Sequence, residues 1–180
     1  MPLYANITTA TQPNKDGGYK PTLFFSPLGD ITTWQYPTGA GLVLGDSTNI
    51  AIAHTWAANK GAYQWETKIG SVKLTADTQG DEGAKVPVWK AEIEIMGFDA
   101  ATVEQMVNSL NDQKAIWLKD SNCITANQNV QMGDECNPVT VSWTFDGKDS
   151  LPTSTGTKGF IVTILSKKLY TYTAVIDTTF

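Results

Sequence analysis

The single histidine of the chain is the first residue that could carry out acid–base or metal chemistry. His54 stands in the strand-like segment Ile52-Ala53-His54-Thr55-Trp56. A catalytic histidine needs a nucleophile and an orienting carboxylate, and a metal-binding histidine needs further ligands. Neither set of partners occurs at a recognisable spacing around it. We therefore interpret His54 as a polar strand residue, at the surface or partly buried.

Two carboxylates, Glu92 and Glu94, occupy alternate positions of a predicted strand. Residues two apart on a strand point to the same side, about 7 Å apart, so the two acids share one face with Lys90. Glycoside hydrolases use paired carboxylates, but across a cleft and with the pKa of one acid raised by its surroundings. An ordinary solvated face is the simpler interpretation, and a third one depends on the resemblance described below.

Other patterns typical of enzymes or metal sites are missing from the sequence. It has no Walker, Rossmann, nucleophile-elbow or His-Glu-x-x-His motif, and the glycines at 39 and 41 precede no helix start. Cys123 and Cys136 have no second cysteine pair and no neighbouring histidine that could complete a zinc site. They flank a polar connection, which leaves either a disulfide or two free thiols. We expect no cofactor, and we expect that the protein is not an enzyme.

The composition argues against several further classes. The 180 residues include 13 lysines and no arginine, against 18 acidic residues, for a net charge of −5. Phosphate-binding faces use clustered bases and guanidinium forks, so nucleic-acid binding through a basic face is not expected. Apolar residues, at 41%, suffice for a folded core. No apolar run approaches the ~20 residues that cross a bilayer, and the N-terminus does not resemble a secretory signal, so we expect no membrane partner.

Strand patterns dominate residues 21–180, which we interpret as a single β-rich domain after an N-terminal arm of residues 1–20. Strict alternation of apolar and polar residues is clearest toward the end of Pro87–Met96 and in Pro138–Asp146. Further strands are predicted over 22–25, 31–36, 49–57, 62–76, 115–118, 159–166 and 169–176, with a hairpin connection at 58–61. Polar connections are predicted at 77–84, 120–137 and 147–157.

The sequence predicts one helix, over residues 99–112. Asp99 is a good N-cap, and Val103, Met106, Val107 and Leu110 follow at the i, i+3, i+4 and i+7 spacing of an amphipathic helix. The predicted fold class is therefore α+β, mostly β: a β-sandwich or barrel with one helix packed on the sheet.

Six tryptophans are distributed one to each strand-like segment: Trp34, Trp56, Trp65, Trp89, Trp117 and Trp143. Exposed tryptophans can serve as carbohydrate-binding platforms. Their alternating apolar neighbours favour core or interface positions for most of them.

The order of these elements resembles that of the tail tube proteins of tailed bacteriophages. The similarity extends over residues 20–176 and is carried by Val86–Phe98 with the following helix, Lys114–Lys119, Pro138–Asp146, Lys158–Ile176, and the opening segment Leu23–Ile31. The resemblance implies a tail-tube-like fold and a subunit of stacked, usually six-fold rings, whose inner strands form a β-barrel around a channel for DNA.

The resemblance also implies roles for single residues. Glu92 and Glu94 become candidate channel-lining acids, since negative charge on the wall lets DNA slide without adsorbing. Asp77, Asp81 and Glu82 become candidate contacts to neighbouring subunits or rings. The implied partners are copies of the chain, other tail or neck proteins, and DNA that passes without specific binding. The implied location is the virion tail, assembled in the host cytoplasm.

Strand edges favour assembly independently of the resemblance. Long strands with open edges are a liability in a monomer, and pairing with further copies in a ring closes them. Two alternatives stay open: a secreted or capsid-decorating β-sandwich that binds carbohydrate through exposed tryptophans, and a lytic hydrolase with an unrecognised site.

Overall fold

The computed structural model describes residues 19–38, 48–97, 99–120, 129–146 and 159–179. The strands within these ranges are β1 (Tyr19–Pro27), β2 (Ile31–Thr33), β3 (Asn49–Ile50), β4 (Thr55–Trp56), β5 (Tyr63–Glu66), β6 (Lys73–Gln79), β7 (Val86–Met96), β8 (Lys114–Asp120), β9 (Asn129–Met132), β10 (Thr140–Asp146), β11 (Gly159–Ser166) and β12 (Leu169–Tyr172). One α-helix, α1 (Ala100–Ser109), and one 3-10 turn, Leu28–Asp30, accompany them. The predicted class, α+β and mostly β, is confirmed.

The strands form two large sheets and a small one. The first large sheet has six strands in the order β3-β12-β9-β8-β1-β5 and is antiparallel except where β12 meets β3. The second has four antiparallel strands in the order β10-β11-β7-β6. Gly159 lets β11 approach β7 closely, because a Cβ atom there would overlap the carbonyl oxygen of Ile95. Strands β2 and β4 pair with each other.

The larger hydrophobic core lies between the two large sheets. Alternate residues of the six-stranded sheet, such as Phe25 and Ile116, pack in one cluster with alternate residues of the four-stranded sheet, such as Ile93 and Val162. Met106 of α1 belongs to the same cluster. The four-stranded sheet therefore buries one face in this core, and within the described residues its other face packs in neither hydrophobic core.

A second core covers the opposite face of the six-stranded sheet. Phe24, Trp117 and Tyr172 of this face pack there with Ile31 of β2 and Trp56 of β4. Because neighbouring residues of β8 point into different cores, Ala115–Leu118 is buried at every position. A continuous apolar run is typical of a strand that is covered on both faces.

Several predictions about the connections are wrong. The expected long strand over 49–57 consists of two short strands, and β5 pairs with β1, so the expected hairpin at 58–61 does not form. The expected strand over 62–76 is interrupted by a turn in which Gly70 has a φ of 75°, a conformation that favours glycine. In both segments the apolar content favoured one long strand, but turns divide the chain into shorter strands.

Other element boundaries also differ from the predictions. β9 lies inside the expected polar connection 120–137, and residues 77–79 of the expected loop 77–84 belong to β6. β1 begins at Tyr19, two residues before the predicted domain boundary. The rest of the expected arm, residues 1–18, and the expected connection 147–157 lie outside the described residues, as does Cys123.

The helix begins as predicted but buries a different side. Oδ1 of Asp99 accepts a hydrogen bond from the backbone N–H of Thr102 at 2.9 Å, and this bond lowers the pKa of Asp99. The buried residues of α1 are Thr102, Gln105, Met106 and Ser109. Of the expected apolar stripe, Val107 is 52% exposed and Leu110 is 42% exposed. Polar and small side chains make up most of the buried side, and the indole of Trp143 donates to the carbonyl of Met106 at 2.9 Å.

Candidate functional site

The uncovered face of the four-stranded sheet brings together the acids that the sequence singled out. Paired residues of neighbouring antiparallel strands point to the same side, so the register places Lys73, Glu92 and Thr163 in one row across the sheet. We call this surface the outer face. Its members by register are Lys73, Thr75, Asp77, Gln79, Val86, Val88, Lys90, Glu92, Glu94, Met96, Gly159, Ile161, Thr163, Leu165, Thr140, Ser142, Thr144 and Asp146.

Each of the two glutamates is paired with a lysine. Nζ of Lys90 lies 2.6 Å from Oε1 of Glu92, and Nζ of Lys68 lies 2.6 Å from Oε2 of Glu94. The hydrogen bond from Lys90 lowers the pKa of Glu92. The four side chains are between 36% and 44% exposed, so the pairs are in contact with water. Exposed pairs of this kind add little stability, and their main consequence is for the charge of the surface.

Acidic groups slightly outnumber basic groups on this surface. The register places Asp77, Glu92, Glu94 and Asp146 on the face together with Lys73 and Lys90, and Lys68 pairs with Glu94 from a neighbouring turn. Hydroxyl side chains, Thr75, Thr140, Ser142, Thr144 and Thr163, fill much of the remainder. A face with this composition presents no excess of positive charge to a polyanion.

The β6–β7 hairpin projects beyond the core and carries the other acids that the sequence singled out. Every residue from Thr75 to Pro87 is exposed, so this part of the hairpin is covered on neither face. Asp77 lies on β6, while Asp81 and Glu82 lie in the turn that joins the two strands. Two-stranded hairpins without a packed face are marginally stable in water. A projecting hairpin of this kind is typical of an element that gains contacts from a partner.

Both edges of the four-stranded sheet are open within the described ranges. There, β6 pairs only with β7, and β10 pairs only with β11. Each edge strand has seven residues, contains no proline, and keeps a continuous register with its neighbour. Proline and β-bulges are common devices for blocking edge pairing, and neither occurs in these two strands.

Phe145 is more exposed than the alternation in Pro138–Asp146 predicts. The alternation in 138–146 predicts that Val139, Val141, Trp143 and Phe145 are all core residues. Val141 is buried, but Phe145 is 42% exposed, although its ring contacts Phe160 with a centroid distance of 5.5 Å. Period-two patterning identifies the face of a strand and carries no signal for whether the strand is at an edge.

His54 lies in a buried polar cluster, which corrects the expectation of a surface or partly buried strand residue. It precedes β4 and is only 4% exposed. Its Nδ1 accepts a hydrogen bond from the backbone N–H of Gln35 at 3.0 Å, and its Nε2 lies 2.8 Å from Oε1 of Gln131. Because Nδ1 is an acceptor, the ring proton is on Nε2 and is donated to Gln131. Burial lowers the pKa of His54.

Aromatic rings enclose this histidine. Trp34, Trp56, Trp117 and Tyr172 lie around it with ring centroid distances between 5.0 and 6.1 Å. The Trp117 indole donates to the same Gln131 oxygen at 3.0 Å. Both imidazole nitrogens are therefore occupied by structural hydrogen bonds in this arrangement.

None of the six tryptophans stands free at the surface. Trp65 and Trp117 are fully buried, and Trp34, Trp56, Trp89 and Trp143 are half-buried. Trp56 donates its indole N–H to the hydroxyl of Ser26 at 3.1 Å. This agrees with the core or interface positions expected for most of them and offers no exposed indole platform for a sugar ring.

A shallow cleft of about 420 Å³ lies where β11 leaves the four-stranded sheet. Its lining includes Val88, Pro138, Leu165 and Lys167, and the exposed free thiol of Cys136. Cys136 belongs to a turn that Asp134 fixes: Oδ1 of Asp134 accepts from the backbone N–H groups of Cys136 and Asn137 at 2.9 and 2.7 Å. Four of the lining residues, Gln79, Val88, Thr140 and Leu165, are members of the outer face, so the cleft lies at the end of that face beside the turn.

The described part of the chain lacks two further classes of site. It contains no group of three or more His, Cys, Asp or Glu side chains that could hold a metal ion. It also contains no helix that is both long and apolar enough to span a bilayer. Comparison with models of protein families, with curated proteins and with solved structures found no match to this chain.

Proposed function

We propose that the protein is a structural component of a bacteriophage virion, a tail tube subunit that assembles into stacked, six-fold rings around a DNA-conducting channel. Its partners are further copies of the chain, other tail or neck proteins, and DNA that passes without specific binding. Its location is the virion tail, assembled in the host cytoplasm. The observation that carries the proposal is the four-stranded sheet, which among the described residues has an open strand at each edge and an outer face that no other element covers.

The directions of the two edge strands support ring closure. Because each strand of this sheet is antiparallel to the next, β10 runs opposite to β6. A rotation about a ring axis preserves strand direction, so β6 of one copy meets β10 of the next as an antiparallel pair. Repetition of this contact closes a barrel whose strands have no free edges. The contact is heterologous, which is the type that generates rings.

The composition of the outer face is consistent with a channel-lining role. Glu92 and Glu94 are members of this face, and their lysine partners leave it without net attraction for phosphate. A strongly basic wall would hold DNA through released counterions. In this proposal the passing DNA meets hydroxyls, ion pairs and the apolar side chains of Ile161 and Leu165.

The exposure of the β6–β7 hairpin favours a role for it in contacts between subunits or rings. Asp77, Asp81 and Glu82 are exposed on an element that lacks a packed face in the single chain. Neighbouring copies supply that face in the proposal.

Electron microscopy and sedimentation of the concentrated protein test the proposal. We expect rings or tubes in negative stain and a species much larger than 19.5 kDa in sedimentation. A protein with native circular dichroism that sediments as a monomer at all concentrations, without rings or tubes, contradicts the proposal.

Proline substitutions provide the matched pair of variants. Successive N–H groups of a strand point to opposite sides, so one of Ala76→Pro and Asp77→Pro removes an outward N–H of β6 and the other removes a bond to β7. We expect one variant that folds but does not assemble and one that loses stability. Full assembly of both variants would show that the β6 edge is not used.

A further inference from the structure

We infer that β6 of one copy pairs with β10 of the next in a single register, from Lys73 opposite Asp146 to Gln79 opposite Thr140. This inference rests on the proposed ring assembly and adds the residues that meet at each subunit boundary. It follows from four properties of the two edge strands: their lengths, the side of the sheet to which each residue points, the strand tilt that each register imposes, and the side chains that each register pairs.

Length gives the first restriction. Within the described residues, which stop at Asp146 at the end of β10, both edge strands have seven residues, and antiparallel alignment with complete overlap pairs all seven. Every other alignment leaves backbone groups of one strand end without a partner strand. Complete overlap therefore satisfies the most N–H and C=O groups.

Facing gives the second restriction. On β6 the outer-face residues are odd-numbered, such as Thr75, and on β10 they are even-numbered, such as Thr144. A register shifted by one residue would place core-side residues of one copy on the outer face of the next. The fully overlapped register pairs Thr75 with Thr144 and so continues both faces across the boundary.

The strand tilt gives the third restriction. Within one copy, Thr75 and Thr140 lie in the same row across the sheet, through Lys90 and Leu165. In the inferred register, Thr140 of one copy lies opposite Gln79 of its neighbour and not opposite Thr75. Each step from one copy to the next, which crosses four strands, therefore shifts the row of paired residues by four positions along the strand. That is about 13 Å along the strands for about 19 Å across them, a tilt of about 35°.

Closed β-barrels have strand tilts of about 35–45°. The inferred register falls at the edge of that range whatever the number of copies in the ring. A register with Thr75 opposite Thr140 requires strands with no tilt. The register two residues further on gives a tilt of about 46° but loses two of the seven pairs. Complete overlap is thus the register that combines an acceptable tilt with the most strand pairing.

Side chains on the core side fit the same register. It places Leu74 opposite Phe145 of the next copy and Ala76 opposite Trp143. Phe145 is 42% exposed in the single chain, and Leu74 and Trp143 are half-buried. Pairs of large and small apolar residues directly opposite each other are favourable across antiparallel strands. The contact would extend the larger core from one subunit into the next.

Disulfide trapping between copies tests the register. The variant carries Thr75→Cys and Thr144→Cys in a background of Cys123→Ser and Cys136→Ser, and it is oxidised after assembly. Thr75 and Thr144 are both exposed, and within one copy β6 and β10 are three strand spacings apart, about 14 Å. That separation exceeds the Cα distance of under about 7 Å that a disulfide spans, so any bond joins two copies. We expect a ladder of covalent oligomers in a non-reducing gel.

The matched control moves one cysteine along β10. Thr75→Cys with Thr140→Cys uses another exposed threonine of the same face, four residues or about 13 Å away, and we expect no ladder. Cross-linking of the Thr140 variant instead of the Thr144 variant overturns the register while rings persist. Rings in the microscope without a ladder from either variant overturn pairing through these two edges. Monomers without a ladder overturn the proposed function as well.

Discussion

Nε2 of His54 lies 2.8 Å from Oε1 of Gln131, a contact between two residues 77 positions apart that joins the segment before β4 to β9, an inner strand of the six-stranded sheet. The same oxygen accepts the Trp117 indole N–H. The other imidazole nitrogen accepts from Gln35. This arrangement holds a neutral histidine and has no place for a second ring proton.

Acid should therefore destabilise the protein through His54. The folded state holds a lowered pKa for His54 because the ring is buried, whereas the unfolded chain titrates near 6.5. Above that pH both states are neutral and the full contribution is present. Below it only the unfolded chain takes up the proton, so the free energy of unfolding falls by up to about 1.4 kcal/mol per pH unit.

Urea denaturation at pH 7, 6 and 5 checks this expectation against His54→Asn. The variant is expected to be less stable at pH 7, and the difference from the original protein should narrow toward pH 5. Parallel stability curves over this range would show that His54 does not titrate differently in the two states.

Truncation of Gln131 should be costly. Gln131→Ala removes the acceptor of two buried donors, and it also removes the amide that donates to the carbonyl of Gly133 at 3.0 Å. Buried groups left without a partner cost about 1–3 kcal/mol, so we expect a loss of roughly 3 kcal/mol in the free energy of unfolding. Gln79→Ala, at an exposed position of β6, serves as the control and should change it by less than about 0.5 kcal/mol.

Lys114 should make the free energy of unfolding depend on pH in the alkaline range. Its side chain is 1% exposed and lies 5.4 Å from the centre of the Phe25 ring, and burial lowers its pKa to about 8. Between that pH and about 10.4 the unfolded chain binds the proton that the folded state has released. Stability should therefore rise with pH over this interval, by on the order of 3 kcal/mol relative to Lys114→Met. Thermal or urea denaturation at pH 7.5 and pH 10 measures the difference, and an equal response of both proteins would argue against a depressed pKa.

Phe145 should matter for assembly more than for folding. Phe145→Ser leaves most of the larger core intact but removes the aromatic ring from the β10 edge. We expect native circular dichroism and a higher concentration for ring formation, by about tenfold, from the loss of one apolar contact at each boundary. Val107→Ser, at a similarly exposed apolar position of α1, is the control that should assemble normally.

A charge reversal on the outer face should make assembled tubes retain DNA. Glu92→Lys places a new cation beside Lys90 and Lys73, and such clusters bind phosphate in a salt-dependent way. Tubes of this variant should co-sediment with DNA that enters them at low salt and release it as salt is raised. Glu104→Lys makes the same charge change on the exposed side of α1. Equal retention by both variants would place Glu92 away from the channel.

Local patterns predicted the elements that depend on near neighbours in the chain. The alternation around Ile93 identified β7 and its two faces, and Asp99 identified the start of α1. The outward position of Glu92 and Glu94 followed from the same alternation. These features depend on strand and helix periods alone, and a short window of sequence contains them.

Features that depend on tertiary contacts were missed. Asn129 and Gln131 were predicted to lie in a loop, but they lie in β9. There, donors that are distant in sequence bond to the amide oxygen of Gln131. The buried side of α1 could not be inferred from its apolar stripe, because its packing involves distant residues: the indole of Trp143, 37 positions from Met106, donates to the Met106 carbonyl. The lysine partner of Glu94 comes from a separate turn, at Lys68. Such pairings join residues far apart in sequence, and periodicity carries no information about them.

The two open edges of the four-stranded sheet are different strands, and this has a consequence for how an assembly could grow. Any incomplete arc of copies has one unpaired β6 edge and one unpaired β10 edge, and adding a further copy leaves that number unchanged. Only the copy that closes the circle pairs both edges at once. Growth of this kind favours closed circles over dimers or trimers, and a solution of the protein should hold free chains and finished circles with little in between.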